Sequence, residues 1–368
     1  MPLHRPTPAG LCAPSELHLA LLNPWQHGFP LERAPYARLA LASGLPEAAV
    51  LRHLRRLQYE GSLSRIGGVF AHEAGGAALL AAMQVPPARL EAVAATVSAH
   101  PGVNHNYQRE HAYNLWFVMT GQDPDAVDDA IALLQRATGL HALSLRMRRA
   151  YRIDLGFDLD TAHTPARNPG RSRSRAGRGQ PGQVPPIADH ERALAALVED
   201  GLPLLSRPFD AWAEALGWPP EQVLATLQRW LDQGVLRRFG TVVRHHELGY
   251  QANAMTVFDV PDAQVDGLGE RLACQPGVTL AYRRERAAGW PYNLYCMVHG
   301  QHRDEVLAQI AALRRTTGLQ AFHHQVLFSC RRFKQTGARR FRALPPGSPA
   351  PHALQAPPEP PEIRHATA

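Results

Sequence analysis

One stretch of this 368-residue chain concentrates side chains able to do acid–base and anion chemistry. In His105-Asn106-Tyr107-Gln108-Arg109-Glu110-His111-Ala112-Tyr113-Asn114-Leu115-Trp116, imidazoles, phenols, a guanidinium and a carboxylate crowd around one hairpin. Successive strand side chains point to opposite faces, so His105, Tyr107 and Arg109 share one face. Histidine offers a metal ligand or a proton near neutral pH, and an arginine fork recognises carboxylates. Tyr107 and Trp116 add flat apolar surface. A set of well-hydrogen-bonded surface polars is the plainer alternative. A second stretch, Tyr282-Arg283-Arg284-Glu285-Arg286, repeats the tyrosine and arginine, with Leu280 standing where His105 does. Arg244-His245-His246 corresponds to Ala71-His72-Glu73. The two versions keep an apolar frame and differ in polar residues, which implies one composite site or two unequal ones. A planar, multiply carboxylated, iron-containing ligand suits histidine, arginine and aromatic surface together; a neutral amino acid would need fewer arginines.

Composition removes other chemistries. Of 39 basic residues 38 are arginine, and Lys334 is the only lysine. A GK[ST] phosphate loop or a pyridoxal Schiff base therefore has no candidate in the body of the chain. Cys12, Cys274, Cys296 and Cys330 lack metal-finger spacing, which argues for a reducing compartment. No run approaches the ~20 apolar residues of a membrane span, and the first residues lack a signal-peptide pattern, so a cytoplasmic location is expected. The formal charge of +7 is concentrated in 166–182, with five arginines, and 331–342, with six basic residues. Without these eleven charges the remainder is mildly acidic.

Positioning the hairpin requires a frame that occurs twice. Residues 28–70 match 201–243, and HPGVNHNYQRE (100–110) matches QPGVTLAYRRE (275–285). Each copy opens with three helices, at 15–22, 34–43 and 47–60, then at 190–200, 208–216 and 220–233. Val50, Leu54 and Leu57 recur at helical spacing in the third. SLSRIGGVF and VLRRFGTVV follow as β-wings, making winged helix-turn-helix units. Trp25 and Trp212 are expected in their cores, with Trp230 facing outward. Strands at 77–85, 103–109, 113–121 and 141–154, repeated at 251–260, 278–284, 292–299 and 320–333, alternate with amphipathic helices. This is the βαββαβ pattern of a ferredoxin-like sandwich. The expected fold is α+β, a tandem duplicate: winged helix-turn-helix 15–75, ferredoxin-like domain 76–157, flexible linker 158–188, then 189–249 and 250–336 again, and a disordered Pro-rich tail 337–368. The two lobes should pair as an intramolecular pseudo-dimer, with the site between their sheets. Arg52, His53, Arg55 and Arg56 suit phosphate contacts, but the matching helix of the second copy carries only Arg229 and two acids. A two-fold operator reader needs both helices basic, so the helix-turn-helix reads as scaffold.

The tandem frame resembles the Lrp/AsnC superfamily, in which the ferredoxin-like lobe is the AsnC-type domain. LLNPWQHGFPL, LQYEGSLSRIGGVF, HPGVNHNYQREHAYNLWF and LRRFGTVVRHHELGY resemble siroheme decarboxylases in their fused two-lobe form, over residues 15–157 and 190–334. The resemblance implies a carbon–carbon lyase that removes CO2 from the C12 and C18 acetates of siroheme. The product, 12,18-didecarboxysiroheme, feeds haem d1 synthesis or an alternative haem route. It implies no cofactor beyond the iron of the substrate, no DNA partner and no membrane partner. Contacts with other haem d1 biosynthesis proteins and a homo-oligomer stay open. The macrocycle can delocalise the electron pair left by CO2, and a general acid must then protonate the methylene carbon: His105 or His111, supported by Tyr107. Arg109, Arg283, Arg284 and Arg286 are the candidates for carboxylates that stay, with Arg244, His246 and Trp116 completing the substrate-binding set. His245, with His246 as alternative, is the candidate iron ligand or second acid, and His72 aligns with it. A haem-responsive Lrp/AsnC-like transcription regulator and a non-catalytic haem carrier are the rival readings.

Overall fold

The computed structural model describes residue 17 and residues 21–153, 184–243 and 252–342. Arg244, His245 and His246 lie outside the described residues, as do 154–157 at the end of the first expected ferredoxin-like domain, 158–183 of the expected linker and 343–368 of the expected tail. The first copy runs α1 (Pro35–Ser43), α2 (Glu47–Glu60), β1 (Leu63–Phe70), β2 (Ala77–Met83), α3 (Leu90–Ala99), β3 (Val103–Arg109), β4 (Leu115–Gly121), α4 (Pro124–Thr138) and β5 (Ala142–Ile153). The second repeats it: α5 (Arg192–Asp200), α6 (Pro208–Leu216), α7 (Pro220–Asp232), β6 (Leu236–Val243), β7 (Ala252–Phe258), α8 (Val265–Ala273), β8 (Val278–Arg284), β9 (Leu294–Gly300), α9 (Arg303–Thr317) and β10 (His324–Gln335). Local signals explain the boundaries. Gly44, at φ 67°, ends α1 in the left-handed conformation that glycine adopts without strain, and Asp123 caps α4 by accepting from Ala126 N at 2.8 Å.

Within each copy the strand order is that of a ferredoxin-like sheet, β5-β2-β4-β3 and β10-β7-β9-β8. The sheets meet at both edges. β5 pairs antiparallel with β8, Ala150 opposite Tyr282, and β10 pairs with β3, Arg332 opposite Tyr107. The result is a closed eight-stranded barrel, which leaves neither sheet with an open edge. Helices α3 and α4 bury Val93, Val97, Ile131 and Leu134 against the outer face of the first sheet, and α8 and α9 do the same on the second. Inside, Leu80, Trp116, Leu145, Trp290, Tyr292, Tyr295 and Leu327 fill part of the barrel with an apolar plug.

The expected wings take a different form. β1 and β6 do not each close a wing within their own copy; they pair with one another, antiparallel, Gly67 opposite Gly240. Each copy supplies the strand the other needs, and the helical lobes share a single core that includes Leu54, Phe70, Val198, Trp212 and Phe239. Trp230 is accordingly buried at 2% exposure, its ring 5.8 Å from Phe70 and its Nε1 donating to Glu191 at 3.1 Å. Two expected flexible segments are partly packed. Ile187, at the end of the linker, is buried and donates its N–H to Ala74 O. Arg340 and Phe341, at the start of the tail, are buried as well. Cys296 is buried and Cys330 exposed. Among the described residues no helix is long and apolar enough to cross a membrane.

Candidate active site

The part of the barrel that the plug leaves open is a cavity of about 410 Å³, closed above by the β1–β6 ribbon and by residues 335–340. Its described lining carries four arginines, Arg65, Arg109, Arg284 and Arg340, against one carboxylate, Glu199, with three histidines, His72, His105 and His299. Alternation along β3 turns His105, Tyr107 and Arg109 inward. Asn106, between them, points out beneath α3, where its Nδ2 donates to Ala94 O and Ser98 Oγ.

Arg109 and Arg284 occupy equivalent places in the two copies. Arg109 donates to Leu327 O at 2.9 Å across the β3–β10 seam, and Arg284 donates to Leu145 O at 3.0 Å across the β5–β8 seam. Each guanidinium lies beside its tyrosine, 5.7 Å from the Tyr107 ring centre and 5.1 Å from that of Tyr282. Neither meets a carboxylate among the described residues. Burial lowers both pKa values, Arg109 to about 10. A cation held this way is short of counter-charge, and an anionic ligand supplies it.

His105 Nδ1 donates to Asn104 Oδ1 at 2.5 Å, which leaves Nε2 as the ring atom able to exchange a proton with a ligand. What exposure it has is onto the cavity, so it lies deep in protein without being sealed off. Burial, then the nearby Arg65 charge, pushes it down to about 4. Near neutral pH the ring is therefore uncharged, and the negative charge of a bound polycarboxylate works to raise its pKa again. His299, on β9, is bracketed by Asn253 Nδ2 at 2.9 Å and Thr279 Oγ1 at 3.1 Å. His72 sits at the mouth, its pKa lowered first by burial and then by Arg340, with Arg284 adding to the effect against Glu73.

Of the sequence candidates, His105, Tyr107, Arg109, Arg284 and Trp116 converge on the cavity. His111 does not. It lies beyond the end of β3, its Nδ1 accepting from Tyr113 N at 2.9 Å and its ring 5.3 Å from Trp290. Arg283 and Arg286 also stand away from the cavity. Arg283 faces the outer side of β8 and pairs with Asp262 and Asp266, each at 3.3 Å, while Arg286 pairs with Asp259 and Asp262. Their charge is already satisfied. The charged and imidazole lining also includes Glu199, His299, Arg340 and Arg65, which were not among those candidates. Arg238 is buried elsewhere, donating to Gln26 O and Thr241 O. On α2, Arg55 donates to Leu204 O and Arg56 pairs with Glu60, so two of the three arginines there are engaged within the protein.

Fold and cavity define a duplicated AsnC-like domain closed into one barrel around an arginine-lined, histidine-bearing pocket. An AsnC-like ligand-binding domain model matches residues 73–152 and 247–334, and a siroheme decarboxylase NirDL-like HTH domain model matches 19–63 and 191–237. The siroheme decarboxylase NirDL subunit of Paracoccus denitrificans is 39% identical over 88% of this chain and 97% of its own length. The chain belongs to the siroheme decarboxylase NirDL family. A siroheme decarboxylase NirL subunit of Stutzerimonas stutzeri is 50% identical over 40% of this chain and 86% of its own length. The crystal structure of siroheme decarboxylase NirDL in co-complex with an iron-uroporphyrin III analogue aligns with a TM-score of 0.60, 27% identity, and coverage of 88% of this chain and 94% of that one.

Proposed function

We propose that this protein is a carbon–carbon lyase that decarboxylates siroheme at the C12 and C18 acetates, giving 12,18-didecarboxysiroheme for haem d1 synthesis or an alternative haem route. The carrying observation is the four-to-one excess of arginine over carboxylate in a cavity that also holds His105. In each step the bond from the acetate methylene to its carboxyl carbon breaks and CO2 leaves. The electron pair passes into the conjugated ring, and a proton converts the methylene to methyl. His105 Nε2 is the proposed donor, with Tyr107 beside it, their ring centres 6.2 Å apart. Arg109 and Arg284 bind carboxylates that stay, and Trp116 and Tyr295 offer flat surface next to the macrocycle. The iron belongs to the substrate, and no other cofactor is proposed. His245, the sequence candidate for its ligand, lies outside the described residues. We expect no sequence-selective DNA binding and a location in the cytoplasm. Anaerobic incubation with siroheme tests the proposal: loss of two CO2 per macrocycle by mass supports it, and binding with unchanged mass refutes catalysis. A salt-sensitive, sequence-selective complex with DNA would favour the regulator instead.

A further inference from the structure

The segment after β10 is built into the cavity wall. Thr336 N donates to Asn104 O at 2.7 Å, and Arg339 N donates to Thr120 Oγ1 at 3.2 Å, which lays the chain across the barrel mouth. Glu199, in the last turn of α5, then receives it. Its carboxylate accepts Arg340 N at 2.8 Å and Phe341 N at 3.1 Å, and the Phe341 ring packs 4.8 Å from Phe70. Arg340 is buried, 8% exposed as a residue, with its guanidinium Nη1 on Ala71 O at 3.0 Å and Nε 3.8 Å from Glu199. Gly337 lies against the Arg65 guanidinium so closely that an added Cβ would stand 2.8 Å from Nη1. Arg340 thus lies against the Glu199 carboxylate, the charge of Arg65 acts on the same group, and that carboxylate is already committed to two main-chain N–H groups. The wall keeps an excess of positive charge towards the cavity.

We propose that Arg340, delivered by residues 336–342 and positioned by Glu199, binds a carboxylate that the enzyme does not remove. This rests on the polycarboxylated tetrapyrrole reading of the site. Releasing CO2 requires negative charge to leave the carboxylate, so a guanidinium paired with that group stabilises the reactant over the transition state. Carboxylates held by arginine are retained, and those lying against apolar lining such as Leu80 and Met255 are free to leave. The segment therefore contributes to which side chains survive, and it is no passive tail.

The test uses the full chain with Arg340→Gln, Arg340→Lys and Glu199→Gln, and iron-uroporphyrin III as a non-reacting probe titrated by absorbance. Arg340→Gln should weaken probe binding at least about 10-fold, the worth of a hydrogen bond to a charged group. For siroheme it should raise KM by a similar factor while changing kcat less than about 3-fold. Arg340→Lys should recover part of the loss, and Glu199→Gln should fall between. Wild-type affinity in Arg340→Gln, or a loss confined to kcat, overturns the proposal. If Arg340→Gln does not fold, the lysine variant decides: affinity and KM both equal to wild type overturn it, and an intermediate loss in both supports it. A wild-type chain that binds the probe but leaves siroheme intact refutes the decarboxylase reading alone, since the Arg340 comparison still runs. A wild-type chain that binds no probe overturns both.

Discussion

Inside the barrel, burial and Arg65 hold His105 at about 4, whereas an unfolded histidine titrates at about 6.5. Between those values the unfolded chain takes up a proton that the folded chain refuses. The stability this provides is complete above about 6.5 and lost as pH falls through about 4, some ~3 kcal/mol in all. Glu199 acts oppositely. Burial holds it at about 7 against the ordinary 4.5, so its share is complete below 4.5 and lost as pH rises through about 7. In the wild-type protein the two largely offset each other. His105→Leu, which installs the residue of its counterpart Leu280, leaves Glu199 unopposed. Urea unfolding should show the variant gaining ~3 kcal/mol over wild type between about pH 7 and pH 4; parallel curves would mean that His105 is not held neutral by burial. The same variant should slow CO2 release by ~100-fold or more, with His111→Ala losing less than ~10-fold because that ring lies outside the cavity. Equal losses would move the proton donor off β3. Strand alternation made the His105, Tyr107 and Arg109 face legible. Carried through β8, the same rule separates Arg284 from Arg283, and composition alone hid that difference. Arg65, Glu199 and Arg340 meet only through tertiary packing of three distant segments, which no local pattern displays.

At the scale of elements, the recurring Tyr-Asn of each hairpin is a clasp. Asn114 exchanges hydrogen bonds with the Val85 N–H and carbonyl, and Asn293 does the same with Val260. The amides fix where each hairpin returns to its sheet. The β1–β6 ribbon was less legible. Its strands were evident, but a strand's pattern does not say which neighbour it pairs with, and the pairing crosses between copies. Glycine makes the ribbon's close fit workable: a Cβ at Gly240 would stand 2.2 Å from Trp25 O and 2.6 Å from Gln26 O, both rigid main-chain atoms. Gly240→Ala should therefore cost ~1–3 kcal/mol. Gly267→Ala, on α8 with nothing nearer than 3.7 Å, should gain up to ~1 kcal/mol from helix propensity. Thermal unfolding of both variants checks the contrast, and an unchanged Tm in Gly240→Ala would mean that the ribbon packs loosely.

Across the whole molecule, duplication and the βαββαβ frame were readable because matching apolar positions persist through both copies. Barrel closure was not, since it depends on which sheet edges meet. Three seams now join the copies, β5 with β8, β10 with β3 and β1 with β6, over a shared helical core. The segment after β10 adds further ties, with Thr336 N on Asn104 O and Arg340 Nη1 on Ala71 O. Each copy alone would expose two sheet edges and carry half a cavity, with Arg109 and Arg284 deprived of their carbonyl partners across the seams. The covalent connection through 154–183 is then unnecessary for cohesion once the protein has folded. A protease site inserted within residues 170–175 and cut after purification tests this. Native mass spectrometry at about 1 μM should find the two pieces still together, because an interface with extended strand pairing and a common core belongs to the obligate class. Iron-uroporphyrin III binding should stay within about 3-fold of the uncut chain, since the cavity's walls are held by the seams. Pieces that separate at that concentration would show instead that the linker's effective concentration, rather than the three seams, holds the barrel closed.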